Sequence, residues 1–149
     1  MITMNELRQH YFDALTSKND IQARLRQTAA ELVECYRQSL DLTSDEQKTR
    51  VLTGYMGAQG YITQPVTLMA LDGSKALNFI VSTVLDANPL HKFVVSVSLS
   101  LREKDEFVSV FIESHGVPVL LLRDGAEGRY AEAVEAIKQA LMEKIHSLV

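Results

Sequence analysis

Between residues 93 and 122 the side chains alternate in a way that leaves few folds open. Phe93, Val95, Val97, Leu99 and Leu101 interleave with Val94, Ser96, Ser98, Ser100 and Arg102. A period of two puts the first set on one side of an extended chain and the second on the other, so this segment is predicted to be a half-buried strand. A tight turn over 103–106 leads into a second strand, Phe107 to Glu113. Setting Arg102 opposite Phe107 brings Leu101 beside Val108, Leu99 beside Val110 and Val97 beside Ile112. A slip of one residue would set Ser100 against Val108, and the apolar pattern selects against it. His115-Gly116 turns the chain again, so that Ile112 meets Val119 and Val110 meets Leu121. Three strands agree on one buried side.

Upstream, Asp72-Gly73 is a hairpin signal between Val66–Leu71 and Ala76–Leu85. Leu77, Ile80, Val81, Val84 and Leu85 also fit a helix, but β-branched residues and the preceding turn favour a strand. Val51, Leu52, Tyr55 and Met56 follow the capping-box sequence Thr43-Ser44-Asp45-Glu46, which predicts a short helix to about Met56. Gly54, Gly57 and Gly60 then predict a loop.

Helices are expected at both ends. Leu7, Tyr11, Ala14 and Leu15 share one face of a short helix from Asn5 to about Ser17, and Asn19 and Asp20 are N-cap residues for a second, longer one. Ile21, Leu25, Thr28, Leu32, Cys35 and Leu42 continue at three- and four-residue steps, as an internal core face or as a helical dimer seam. The last element, from about Ala126 to Leu148, carries Tyr130, Val134, Ile137, Leu141 and Ile145 as one stripe suited to cover Val97, Val110 and Leu121. The predicted fold is α+β: an N-terminal helical hairpin, an antiparallel meander of about five strands, and a long C-terminal helix on one sheet face. One domain is expected to span all 149 residues.

Composition narrows the function classes. An apolar fraction of 46% with 23% charged residues is that of an ordinary globular protein. No apolar run reaches the roughly 18 residues that span a bilayer, and Met1–Leu7 lacks the pattern of a secretory signal. One cysteine, Cys35, cannot form an internal disulfide, and a cytoplasmic location is expected. The net charge is −4 and basic residues are interleaved with acids throughout, so neither nucleic acid nor membrane is an expected partner.

The strand faces pointing away from the C-terminal helix carry Ser96, Ser98, Ser100, Phe107, Ser109, Phe111, Glu113, Leu120 and Leu122. Serines suit a wet face; two phenylalanines and two leucines do not. Three covers are open: the N-terminal helices, another protein or second copy, or a small ligand in a cleft between sheet and helices.

Little else points to chemistry. His10, His91, His115 and His146 form no metal-ligand pair, and no metal or cofactor is predicted. Glu113 and His115 have the spacing of a base with its orienting carboxylate, but the pair is common by chance and a polar hairpin end is the simpler explanation. Cys35 lies on an apolar helix face as a structural thiol. Gly54-x-x-Gly57-x-x-Gly60 lacks the Lys-Ser or Lys-Thr of a phosphate loop, and Asp72-Gly73-Ser74-Lys75 is turn chemistry rather than a Ser/Lys dyad. Residues 102–106 form a solvated hairpin tip. No catalytic residue is predicted. The expected function is non-enzymatic protein binding, of an accessory, chaperone-like or toxin-neutralising kind, as a homodimer. Ser96, Ser98, Ser100, Phe107, Phe111, Leu120 and Leu122 are the expected binding surface. The alternative is a small-molecule binder or enzyme with a cleft between the sheet and the N-terminal helices, lined by Phe107, Phe111, Ser98 and Ser100.

Overall fold

The alternating segment becomes one half of an antiparallel sheet of six strands rather than five. The computed structural model describes residues 1–42, 49–86, 90, 93–122 and 128–148. Its strands are β1 (Val51–Gly57), β2 (Gly60–Thr63), β3 (Leu77–Asp86), β4 (Phe93–Lys104), β5 (Phe107–Ile112) and β6 (Val119–Leu122), in the order β2-β1-β3-β4-β5-β6. Helix α1 (Met4–Ser39) precedes them and α2 (Ala131–Ser147) follows. The fold class is α+β, as the pattern predicts.

The predicted helical hairpin is instead one continuous helix of 36 residues. Its start is fixed at Thr3, whose hydroxyl accepts from the Glu6 N–H while the Glu6 carboxylate accepts from the Thr3 N–H. That reciprocal pair satisfies two of the first-turn donors. Asn19 and Asp20, predicted as a cap, lie within the helix; with no proline or glycine between residues 4 and 39, nothing breaks it there. The helix ends where Asp41 takes a left-handed φ of 61° and Leu42 N–H returns to the Arg37 carbonyl, as glycine-terminated helices do.

The predicted helix up to Met56 is also corrected, because Val51–Gly57 is strand β1. Residues 43–46, its supposed capping box, lie outside the described residues. The glycines read as helix breakers serve a hairpin. Gly57 pairs with Gly60, which has φ +119°, and at Gly54 a Cβ would lie 2.3 Å from the Ile62 carbonyl oxygen and 2.5 Å from the Tyr61 ring. Leu77–Asp86 is a strand, as predicted, but Val66–Leu71 is not its hairpin partner. Val66–Leu68 forms a 3-10 turn, and the segment is held by α1: Arg26 Nε donates to the Met69 carbonyl and Gln22 Oε1 accepts from Leu71 N–H. The backbone groups a strand would need are spent on helix side chains.

Register differs from the prediction by two residues. Leu101 faces Val110 and Leu99 faces Ile112, while Lys104 rather than Arg102 faces Phe107. The same offset recurs next door, where Val110 meets Val119 and Val108 meets Leu121. Asp105, at φ 55°, lets the chain reverse within residues 105 and 106, and the tighter turn draws the strands further along. A two-residue slip leaves every side chain on its predicted face.

Both helices lie on that face. Leu25, Ala29, Leu32, Val33 and Tyr36 of α1 share one buried cluster with Val97, Leu99, Val110 and Leu121 of the sheet and Val134, Ile137 and Leu141 of α2. Each large side chain in such a cluster contributes about 1.5–3 kcal/mol when fully buried. Ala29 on α1 and Ala133, Ala136 and Ala140 on α2 are buried too, and their small size lets the two helices share a single layer. Tyr36 anchors α1, its ring buried and its hydroxyl 2.7 Å from the Thr83 hydroxyl on β3. Of the three covers open for the second sheet face, the N-terminal helices are therefore excluded. Among the described residues no helix is long and apolar enough to cross a membrane.

The close approach at Gly54 makes a direct test. Gly54→Ala is expected to lower unfolding free energy by about 1–3 kcal/mol, the usual cost of forcing atoms into a filled space. Gly73→Ala, where a Cβ meets open space, is expected to change it by no more than about 0.5 kcal/mol. Urea denaturation of both variants separates them; equal costs would refute the packing account of β1 and β2.

Candidate functional site: the outer sheet face

With both helices on the inner side, neither covers the outward residues of the six strands, although Ser82, Val84 and Ser109 are buried among their neighbours. On β4 and β5, Ser100 stands opposite Phe111, Arg102 opposite Ser109 and Lys104 opposite Phe107; on β6, Leu122 and Leu120 continue the rows from Phe107 and Ser109. Phe111 and Leu120 each keep 50% of their surface exposed, Leu122 48% and Phe107 36%. Met56 and Tyr61, paired across β1 and β2, extend the apolar surface toward the other edge. The sequence pattern had not placed these two on strands, because it assigned Met56 to a helix end and named no strand that contains Tyr61.

The seven predicted surface residues thus share one face, although they differ in environment. Ser98 is exposed. Ser96 and Ser100 are half-buried, with the Ser96 hydroxyl 2.8 Å from that of Ser82 on β3. Phe111 stands as a ridge between two shallow grooves. One, about 480 Å³, runs past Tyr55, Met56, Ile80 and Ser98; the other, about 540 Å³, runs past Arg102, Lys104, Pro118 and Leu120. A ridge between two grooves on a pleated surface fits an extended or helical apolar segment better than a compact ligand, which binds in enclosed concavities. The predicted cleft between sheet and N-terminal helices cannot be lined by Phe107 and Phe111, since those rings point away from α1.

The single-residue candidates resolve into structural roles. Glu113 Oε2 accepts from Ser98 N–H at 3.0 Å and from Lys144 Nζ at 2.9 Å. Partial burial pushes its carboxyl pKa up, but the Ser98 N–H and Lys144 together outweigh this and leave it below the usual range. Among the described residues its partners are therefore on β4 and α2, not at His115. The four atoms around Asp72 form a closed turn: Oδ1 accepts from Ser74 N–H, Ser74 hydroxyl and Ala76 N–H, and Oδ2 from the Asn78 amide. These bonds, the Ala76 N–H first, hold the Asp72 carboxyl far below the usual range. Ser74 is thus a turn residue, and Arg102 donates to its hydroxyl at 2.6 Å. Cys35 is half-buried, and burial, with Glu31 and Glu34 nearby, pushes its thiol pKa up, away from a reactive thiolate. His91 lies outside the described residues. Among those described, no three His, Cys, Asp or Glu side chains converge as a metal cluster.

A polar groove that the sequence did not reveal lies on the helix side. It encloses about 470 Å³ between Arg24, Gln27 and Thr28 of α1, Glu103 and Val108 of the β4–β5 hairpin, and Arg129. Arg24 clasps Glu103 through Nε at 2.6 Å and a terminal nitrogen at 3.0 Å. At its other end Glu31 accepts from the Tyr130 hydroxyl and from Arg129, which also donates to the Tyr130 oxygen and to the Leu122 carbonyl. The contacts of Arg24 and Glu31 join residues 79 to 99 positions apart, so no local motif announces them. They tie α1 to the start of α2 and the end of β6. No protein-family model, curated protein or solved structure matches this chain.

The Glu31 cluster gives stability a predictable pH dependence. The Tyr130 hydroxyl, ahead of Gln27 and Arg129, holds the Glu31 carboxyl below its ordinary 4.5. Burial, then the Glu31 carboxylate, pushes the Tyr130 hydroxyl up to about 12. A depressed carboxylate stabilises the fold above its unfolded pKa and loses that contribution as pH falls through the folded value; a raised phenol does so below its unfolded pKa, and loses it as pH rises. Tyr130→Phe is expected to cost about 1 kcal/mol near neutral pH, a hydrogen bond to a half-exposed carboxylate. The difference from wild type is expected to shrink once pH drops below 4.5. Urea titrations across the acid range measure it; a difference independent of pH would refute the assignment.

Proposed function

We propose that this chain is a non-enzymatic protein-binding domain, cytoplasmic and homodimeric, whose interaction surface is the outer sheet face. One observation carries the reading: Phe111, between two apolar grooves, and Leu120, beside one of them, are each half-exposed on a face that neither helix covers. A monomer that leaves such a continuous apolar area in water loses the stabilisation its burial would bring, and surfaces of this kind mark interaction sites. The aromatic ridge provides a central anchor of the type that dominates binding energy, and Arg102, Lys104 and Ser100 supply a polar rim. The side chains with any catalytic prospect, Glu113, Ser74 and Cys35, are engaged in fixing turns, strand ends and helix packing. An accessory, chaperone-like or toxin-neutralising role fits such a surface.

A second reading rests on the polar groove between α1 and the β4–β5 hairpin, which would take a small polar ligand. It is the weaker one, because Arg24 and Arg129 already hold Glu103 and Glu31, and a ligand would have to displace them.

The double variant Phe111→Asp/Leu120→Asp tests the leading reading. Both side chains are exposed, so thermal unfolding is expected to stay close to wild type, while association, read by sedimentation velocity, is expected to be lost. A wild-type assembly that survives both substitutions would place the interface elsewhere. A large thermal shift with small polar metabolites, abolished by Arg24→Ala, would favour the second reading.

A further inference from the structure

The first half of α1 is the other surface without a cover. Residues 1–20 are all exposed, and the helix from Met4 to Asp20 projects for about 25 Å at 1.5 Å per residue. Yet it is not a polar rod. Leu7 is 55% exposed, Tyr11 62%, Phe12 52% and Leu15 40%. Leu7, Tyr11 and Ala14 continue, at helical spacing, the same stripe that Leu25, Ala29 and Leu32 bury against the sheet further along. One stripe thus has two halves, of which one is buried by this chain and the other is left in water.

We propose that the projecting half of α1 packs on the outer sheet face of a second copy, and that the second copy returns the same contact. The inference rests on the reading that the outer face binds protein, and it names the occupant. Two observations on the molecule support it. Geometry comes first. Helix α1 lies in a layer on the inner side of its own sheet, so the arm runs about 10 Å off the sheet plane. A second copy placed end to end and inverted, by a two-fold axis lying in the sheet plane at the root of the arm, presents its outer face at that height. The same axis returns its own arm to the first copy's outer face, so the assembly closes as a symmetric dimer.

Area is the second support. Each copy would bury an arm face and a sheet face, together some ten half-exposed large side chains. That amounts to on the order of 800 Å² per partner, the size of a standard stable interface. Pairing arm with arm would leave the sheet bare, and pairing sheet with sheet would leave the arm bare. Only the exchange covers both.

The test uses full-length protein and two single variants, Tyr11→Asp on the arm and Phe111→Asp on the sheet. In sedimentation velocity wild type is expected to be a dimer and each variant a monomer. An equimolar mixture of the two variants is expected to regain association, because the intact arm of one finds the intact sheet of the other. Mixing rescues neither an arm-to-arm nor a sheet-to-sheet interface. A second measurement does not depend on these variants: in a Cys35→Ser background, Leu15→Cys with Leu120→Cys is expected to give an inter-chain 15–120 disulfide on oxidation. A dimer that Phe111→Asp disperses and Tyr11→Asp leaves intact overturns the exchange while the outer-face reading stands. A dimer dispersed by Tyr11→Asp alone overturns both, in favour of paired arms. A wild-type monomer, or a trap that yields only 15–15 linkage, also overturns the exchange.

Discussion

The inner surface of β3 and β4 is the foundation on which every other element is placed. Leu77, Phe79 and Val81 face Leu101, Leu99 and Val97 across the longest ladder in the sheet, and all six side chains are buried. Their burial requires an apolar roof, which α1 and α2 supply together. Because the roof is two helices wide and both lie on one side, the opposite side is left with none. The bareness of the outer face is thus not a separate feature of the surface. It follows from how the core is satisfied.

Polar contacts then fix where the roof sits. Arg24 on Glu103, Tyr36 on Thr83, and Glu31 with Arg129 and Tyr130 each join a helix to a distant part of the chain. Lys144 near the end of α2 donates to the Ser96 carbonyl and to Glu113. Hydrophobic burial is nondirectional, and a helix can slide along an apolar sheet at little cost. Directional bonds at both ends of α2 and along α1 select one position. Side chains that resemble catalytic groups in the sequence serve this purpose.

The sequence was legible wherever a period of two or of 3.6 determined the answer. Val95, Val97, Leu99, Leu101, Val108, Val110 and Leu121 are on the predicted side, and Val134, Ile137 and Leu141, with Tyr130 at the N-cap, form the buried stripe of α2. It was illegible where periodicity is silent. A two-residue slip preserves every face, so the pattern could not see that Asp105 accepts a left-handed φ and shortens the hairpin. Glycine at 54 reads as a helix breaker when taken alone and as a requirement of close strand packing once Tyr61 and Ile62 are beside it. Val66–Leu71 has a strand's composition, but Gln22 and Arg26, more than forty positions away, claim its backbone. For the candidate surface, Phe107, Phe111, Leu120 and Leu122 were visible as the wrong residues for a wet face. Met56 and Tyr61 were not, because their strands were missed.

The order β2-β1-β3-β4-β5-β6 has an implication for how the molecule forms. Apart from the β1–β3 step, which spans β2, each strand finds its neighbour in the adjoining stretch of chain, so the sheet is built from short loop closures with a small entropic cost. Only the meeting of α1 with α2 joins the two ends. Until α1 and α2 settle on the inner side, both faces of such a sheet are wet. Sequence economy in the serines at 96, 98 and 100 keeps one of those faces tolerable to water along the central strand, where an unfinished molecule would otherwise be at greatest risk of sticking to its neighbours.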